Sequence, residues 1–284
     1  MRERGLLPWL VAAVLLGSGL GSRAAGPGEQ QTPATRVIAP AEIAPLWDYE
    51  GKGPATWGQL APEFALCGSG KSQSPIDITA VRESSKPGIK ADYRPAGLRI
   101  VHAEHTADVV HTGHSIQVNY AEGDMLTIDE DTYVLVQYHF HSPSEHTVKG
   151  RPFPMEMHLV HRSAQGRLAV LGVLIDEGQE NEAFEPVWAN LPEKKGVETH
   201  LENVMVDVNE LLPRDRASYR YEGSLTTPPC SEGVKWIVMK QPVSLSAHQI
   251  EVFQNIIKGN NRPVQPLNGR AVYADKVKER GEKE

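Results

Sequence analysis

The sequence predicts an α+β fold: a single domain around a large, mainly antiparallel, twisted β-sheet with peripheral helices. Three observations predict it. Runs rich in β-branched and aromatic residues recur through the middle of the chain. Helical periodicity is confined to two stretches. Neither an internal repeat nor a second linker interrupts residues 45–275 of the 284.

In order, Leu98-Arg99-Ile100-Val101 and residues 115–120 alternate as half-buried strands do. Residues 133–141 form a longer run of strong β propensity. Residues 155–161 alternate again, with Glu156, His158 and Val160 on one face. Residues 169–175 are continuously apolar, the pattern of a strand covered on both sides, and residues 235–239 read as another strand. Residues 180–191 and 246–258 carry the helical signals. The second is clearer, with Ser246 at its N-cap and Gly259 just past its end.

The ends read differently. Arg2 and Arg4 flank an apolar stretch at residues 6–16, and Ser22-Arg23-Ala24-Ala25 follows, which predicts a signal peptide over residues 1–25. A membrane anchor is the alternative, although Pro8 and the short apolar core disfavour a spanning helix. Residues 26–44, rich in Pro, Gln, Thr and Ala, read as a flexible linker, and residues 276–284 as a charged, solvated tail. Export predicts a periplasmic or secreted protein with no membrane contact once the signal is removed. It also predicts that the two cysteines, Cys67 and Cys230, pair as a disulfide, where a reducing compartment would leave two buried thiols. The formal net charge of -7 argues against nucleic acid as a partner.

The chemistry concentrates in Gln137-Tyr138-His139-Phe140-His141 and Glu156-Met157-His158. Strand alternation puts His139 and His141 on one face, and a neighbouring strand can add His158. Three neutral imidazoles with a fourth position open suit a catalytic zinc. An isolated H-x-H on a strand is a weak signal, more often two polar residues on a wet face than a metal pair. The neighbours shift that balance, because a metal-bound imidazole usually gives its second N–H to an amide or carboxylate oxygen. Gln137 and Glu156 each stand two residues before a ligand, on the same face. His161 has the opposite parity to His158 and should face away. His146 reads as a buried structural histidine paired with Glu156.

Together with Ser144-Glu145-His146-Thr147-Val148, these segments resemble the zinc site of the alpha-class carbonic anhydrases. Gly223-Ser224-Leu225-Thr226-Thr227-Pro228-Pro229-Cys230 is similar to that family's substrate loop. Trp47-Asp48-Tyr49, Ser72-Gln73-Ser74-Pro75-Ile76 and Asn260-Asn261-Arg262-Pro263-Val264-Gln265-Pro266-Leu267 match its terminal signatures. The resemblance runs over residues 45–275 in the family's order. The signal peptide and single cysteine pair look like the exported bacterial members.

The resemblance implies reversible hydration of carbon dioxide to bicarbonate and a proton through zinc-bound hydroxide. It implies zinc as cofactor, His139, His141 and His158 as ligands, and Gln137 and Glu156 as their partners. Thr226 would accept a hydrogen bond from the hydroxide and donate one to Glu145. Thr227 would line the bicarbonate side, His114 would shuttle protons, and Tyr49 would help order the water chain. Val160, Val173, Leu225, Val234 and Trp236 would form the apolar wall for carbon dioxide. Thr112 and Gln117 stand where the family often has asparagine, which bears on the water path. A homodimer is compatible with the exported members. The alternatives are a non-catalytic carbonic-anhydrase-like binding module, which typically lacks a zinc histidine, and ester hydrolysis as a side activity.

Overall fold

A computed structural model describes residues 36–37, 47–84, 89–93, 96–98, 108–111, 114–119, 124–194, 197–200 and 204–275. The predicted signal peptide, the charged tail, residues 99–101 of the first expected strand, and Thr112 lie outside the described residues. Among the described residues, fourteen strands join one large sheet. Its main path uses β1 (Arg36–Val37), β2 (Arg82–Glu83), β3 (Asp108–His111), β4 (Ile116–Asn119), β5 (Asp131–His141) and β6 (Met155–Arg162). It continues through β7 (Leu168–Glu177), β8 (Val197–His200), β9 (Ser218–Ser224), β10 (Glu232–Met239) and β11 (Tyr273–Ala274). The spatial order is β1-β8-β3-β4-β5-β6-β7-β10-β9-β11-β2. Pairing along this path is antiparallel, except that β7 runs parallel to β10 and β11 parallel to β2. No helix among the described residues is long and apolar enough to cross a membrane.

Arg36–Val37 forms a two-residue strand whose partners are Glu198 and Val197.

Alternation explains which side chains meet the core. Tyr138 and Phe140 of β5, Met157 and Leu159 of β6, and Leu171 and Val173 of β7 enter one buried apolar cluster. The intervening residues point to the other face, where Val170, Leu174, Val234, Trp236 and Val238 pack with Ile76 and Ile78. The β5–β6 register slips between Val160 and His161, so Val136 has no residue opposite it. His161 lies beyond that bulge and turns into the larger core, with Nε2 2.8 Å from the Tyr93 hydroxyl.

The helices are shorter than the sequence suggested. The predicted helix at 180–191 is a 3-10 turn, Glu182–Phe184, followed by a single helical turn, Glu185–Trp188. Pro186 explains the difference. Its missing N–H and its ring are tolerated in a first turn and not deeper in a helix. Helix Ala247–Ile256 has the expected cap, with Ser246 and Gln249 forming a reciprocal capping box. Gly259 follows it at φ +75°.

Candidate metal centre

Register builds the centre. His139 of β5 stands directly opposite His158 of β6, His141 opposite Glu156, and Gln137 opposite Val160. Opposed residues share a face, so three imidazoles converge. Each ring has one nitrogen engaged. His139 Nδ1–H donates to Gln137 Oε1 at 2.8 Å, His141 Nδ1–H to the Asn260 carbonyl at 2.7 Å, and His158 Nε2–H to Glu156 Oε1 at 2.9 Å. These bonds set the tautomers and leave lone pairs on His139 Nε2, His141 Nε2 and His158 Nδ1. One ligand nitrogen from each ring lies within 4.8 Å of the others.

Electrostatics suits a cation. Burial drives the pKa of His139 well below its ordinary value, lowers that of His141 to about 4, and lowers that of His158. All three are therefore neutral at pH 7, the form that binds a metal. His141 Nε2 is buried without a hydrogen-bond partner. A buried acceptor in that state is costly unless something electrophilic faces it. The donor set and this unpartnered nitrogen fit zinc.

Glu156 is fully engaged. Its Oε1 accepts from His158 Nε2–H and lies 2.7 Å from His146 Nδ1. Its Oε2 accepts the backbone N–H groups of Glu145 and His146 at 2.9 and 2.8 Å. Burial opposes its charge, yet His146 and His158 hold its pKa well below the usual carboxylate range. His146 extends the chain, with Nε2 2.7 Å from the Tyr221 hydroxyl, which in turn donates to Ser74 Oγ at 2.8 Å.

Beside the histidines lies Glu145, its Oε2 3.9 Å from His158 Nδ1. The Arg262 backbone N–H donates to Glu145 Oε1 at 2.8 Å. Burial pushes the Glu145 pKa up to about 7, while His158, the Thr226 hydroxyl and Arg262 pull it down. Glu145 Oε2 is buried with no hydrogen-bond partner, and Thr226 is the hydroxyl that acts on this carboxylate. Thr226 is buried and Thr227 half-buried. Cys67 and Cys230 form a disulfide with Cα atoms 5.0 Å apart, beside the Thr226 loop. The buried Arg262 guanidinium braces this region, donating to the Cys67 and Ser74 carbonyls at 2.8 Å and to Gln73 Oε1 at 2.9 Å.

His114 lies in an aromatic group. Its ring stacks on Trp47 at 3.8 Å, with Tyr49 at 6.4 Å and Trp57 behind. Burial and the neighbouring Glu145 hold the Tyr49 pKa well above its ordinary value, so the phenol keeps its proton.

Four of the five expected wall residues gather on the histidine side: Val160, Leu225, Val234 and Trp236. Val173 does not join them. It stands opposite Met157 and packs into the other core. Val170, opposite Val160, occupies the site face instead. The continuous apolar run at 169–175 shows no alternation, so its parity was illegible. Also missed were the Asn260 carbonyl and the Arg262 braces. A backbone acceptor carries no residue-type signal, and only the 260–267 signature marked that segment.

Residues 52–276 match the eukaryotic-type carbonic anhydrase family. A carbonic anhydrase of Pectobacterium carotovorum is 41% identical over 228 residues, covering 80% of this chain and 89% of that protein. One from Neisseria gonorrhoeae is 44% identical over 229 residues, covering 80% and 86%. The solved alpha-carbonic anhydrase of Thermovibrio ammonificans, in complex with the inhibitor sulfanilamide, superposes with a TM-score of 0.75. It is 43% identical and covers 81% of this chain and 100% of its own. Likeness of this extent, over a sheet that brings three neutral histidines together, makes the chain a member of the alpha-class carbonic anhydrases and a carbon dioxide-hydrating enzyme.

Proposed function

We propose that this protein interconverts carbon dioxide and bicarbonate with zinc held by His139, His141 and His158, and that it works in the periplasm or outside the cell. The observation that carries the metal assignment is the set of three neutral imidazoles, each with its other nitrogen engaged. When bound, zinc supplies Lewis acidity that brings the ionisation of water near neutrality, as is established for carbonic anhydrases.

The chain's own residues aim that chemistry. A threonine hydroxyl has one proton. If Thr226 gives it to Glu145, the Thr226 oxygen can only accept, so it selects the orientation of the attacking hydroxide. Val160, Val170, Leu225, Val234 and Trp236 exclude water from the space where a small, uncharged substrate sits. Thr227 borders the product side. Water and carbon dioxide give bicarbonate and one proton, and that proton must leave. His114 offers an imidazole, the side-chain type suited to exchanging protons near neutral pH, to carry it. Tyr49, protonated and buried, would order water between His114 and the centre.

Two alternatives carry less. Non-catalytic members typically lack a ligand histidine, and this chain carries all three. Ester hydrolysis would use the same activated water and counts as a side activity.

The test is carbon dioxide hydration by the mature protein before and after chelation. Activity should vanish on metal removal and return with zinc. Persistence after proven removal would refute the metal assignment. His114→Ala should lower turnover in weak buffer by about tenfold or more and be rescued by imidazole. A turnover indifferent to buffer would rule out the shuttle.

A further inference from the structure

Asn260 spends every polar atom it has on the metal side of the sheet. Its carbonyl accepts from His141 Nδ1–H at 2.7 Å, and its backbone N–H donates to the Ser142 carbonyl at 3.2 Å. Its side-chain Oδ1 accepts from the Ser142 N–H at 2.8 Å. Its Nδ2 donates to the Phe140 carbonyl and to the His114 carbonyl, each at 2.9 Å. The residue is 1% exposed. Phe140 separates two of the metal ligands, and His114 opens the segment that leads into β4. The carboxamide therefore joins the His114 segment to the ligand strand through one rigid, planar group.

We propose that Asn260 is a positioning residue for proton transfer, whose carboxamide fixes His114 relative to the metal-ligating strand. This rests on the reading of His114 as the proton shuttle. The division of labour within Asn260 makes it testable. The backbone carbonyl that orients His141 survives any substitution, whereas the link to His114 belongs to the side chain alone. Ser115 adds its own hydroxyl contact to the Phe140 carbonyl, so β4 stays attached when that link is cut. What is lost is the backbone tether at the His114 carbonyl, while the ring keeps its stack on Trp47. Proton export should then suffer while carbon dioxide conversion at the centre continues.

The experiment compares Asn260→Ala and Asn260→Asp with the wild type. Asn260→Asp keeps the acceptor for the Ser142 N–H and loses both donations, so it carries the test if the alanine variant does not fold. In weak buffer kcat should fall by about tenfold, with kcat/KM within about twofold, and imidazole should restore most of kcat. In zinc-free protein, amide exchange across residues 114–119 should accelerate by about tenfold, while β6 is unaffected. Parallel loss of kcat and kcat/KM without imidazole rescue would overturn the proposal. So would unchanged exchange at 114–119, or failure of both variants to fold. The two readings fail separately. A buffer-independent His114→Ala variant would sink the shuttle, whereas the exchange measurement judges the tether without any turnover.

Discussion

His158 shows how much of the centre rests on single atoms. Its Nε2–H is given to Glu156, whose other contacts come from His146 and two backbone N–H groups. Removing that carboxylate frees the ring to rotate and to adopt the wrong tautomer. Glu156→Ala should therefore weaken zinc binding by about 10–100-fold, read by competition with a chromophoric chelator. Unchanged affinity would show that packing alone orients the ring. The wall offers a second check at this scale. Val173→Ala should cost about 2 kcal/mol in denaturant unfolding and leave kcat/KM near wild type. Val170→Phe should lower kcat/KM by intruding on the substrate side. The reverse pattern would restore Val173 to the wall. The three histidines were legible because histidines at fixed parity stand out within apolar strands. Val170 was not, because a run apolar on both faces hides its register until β6 lies beside it.

Among the elements, β5 carries the most. One face holds Gln137, His139 and His141, and the other buries Tyr138 and Phe140. Phe140 is fully buried and meets Phe184, Trp188 and Phe253 with ring centroids 6.3, 5.1 and 6.0 Å away. Phe140→Ala should cost about 3–5 kcal/mol and also loosen the candidate metal site, because its backbone lies between His139 and His141. Chemical denaturation reads the first effect and zinc affinity the second. The bulged β5–β6 pair gives a pH prediction through His161. Burial lowers its pKa from 6.5 to about 4, so the folded state prefers the neutral ring. The unfolded chain takes the proton first. Stability from this group is present above about pH 6.5, falls through the window down to about 4, and then levels, losing about 3 kcal/mol at most. His161→Gln should show a shallower decline over that window, and identical slopes would contradict it. Helix 246–258 was readable from its cap and glycine. Helix 180–191 shrank because the apolar spacing concealed what Pro186 forbids.

At the scale of the molecule, the sheet was legible as a class and not as an order of strands. Alternation and β-branched runs announce strands, but the parallel β7–β10 neighbours are separated by β8 and β9 in the chain and joined only in space. The disulfide bridges a sequence separation of 163 residues and ties the Cys67 segment to the Thr226 loop. Reducing it should lower unfolding free energy by about 2–5 kcal/mol, with a matching fall in melting temperature. An unchanged melting curve with both thiols titrated would count against a stabilising role. Arg262 reaches the Cys67 carbonyl and Asn260 the His141 ring, so distant parts of the chain meet at the centre. Whether those parts make a zinc enzyme is decided most directly by titrating metal-free protein with zinc and following carbon dioxide hydration. Activity should rise linearly and saturate at one zinc per chain, and His139→Ala should stay inactive at that ratio. A folded protein loaded with one zinc that hydrates no carbon dioxide would contradict the account.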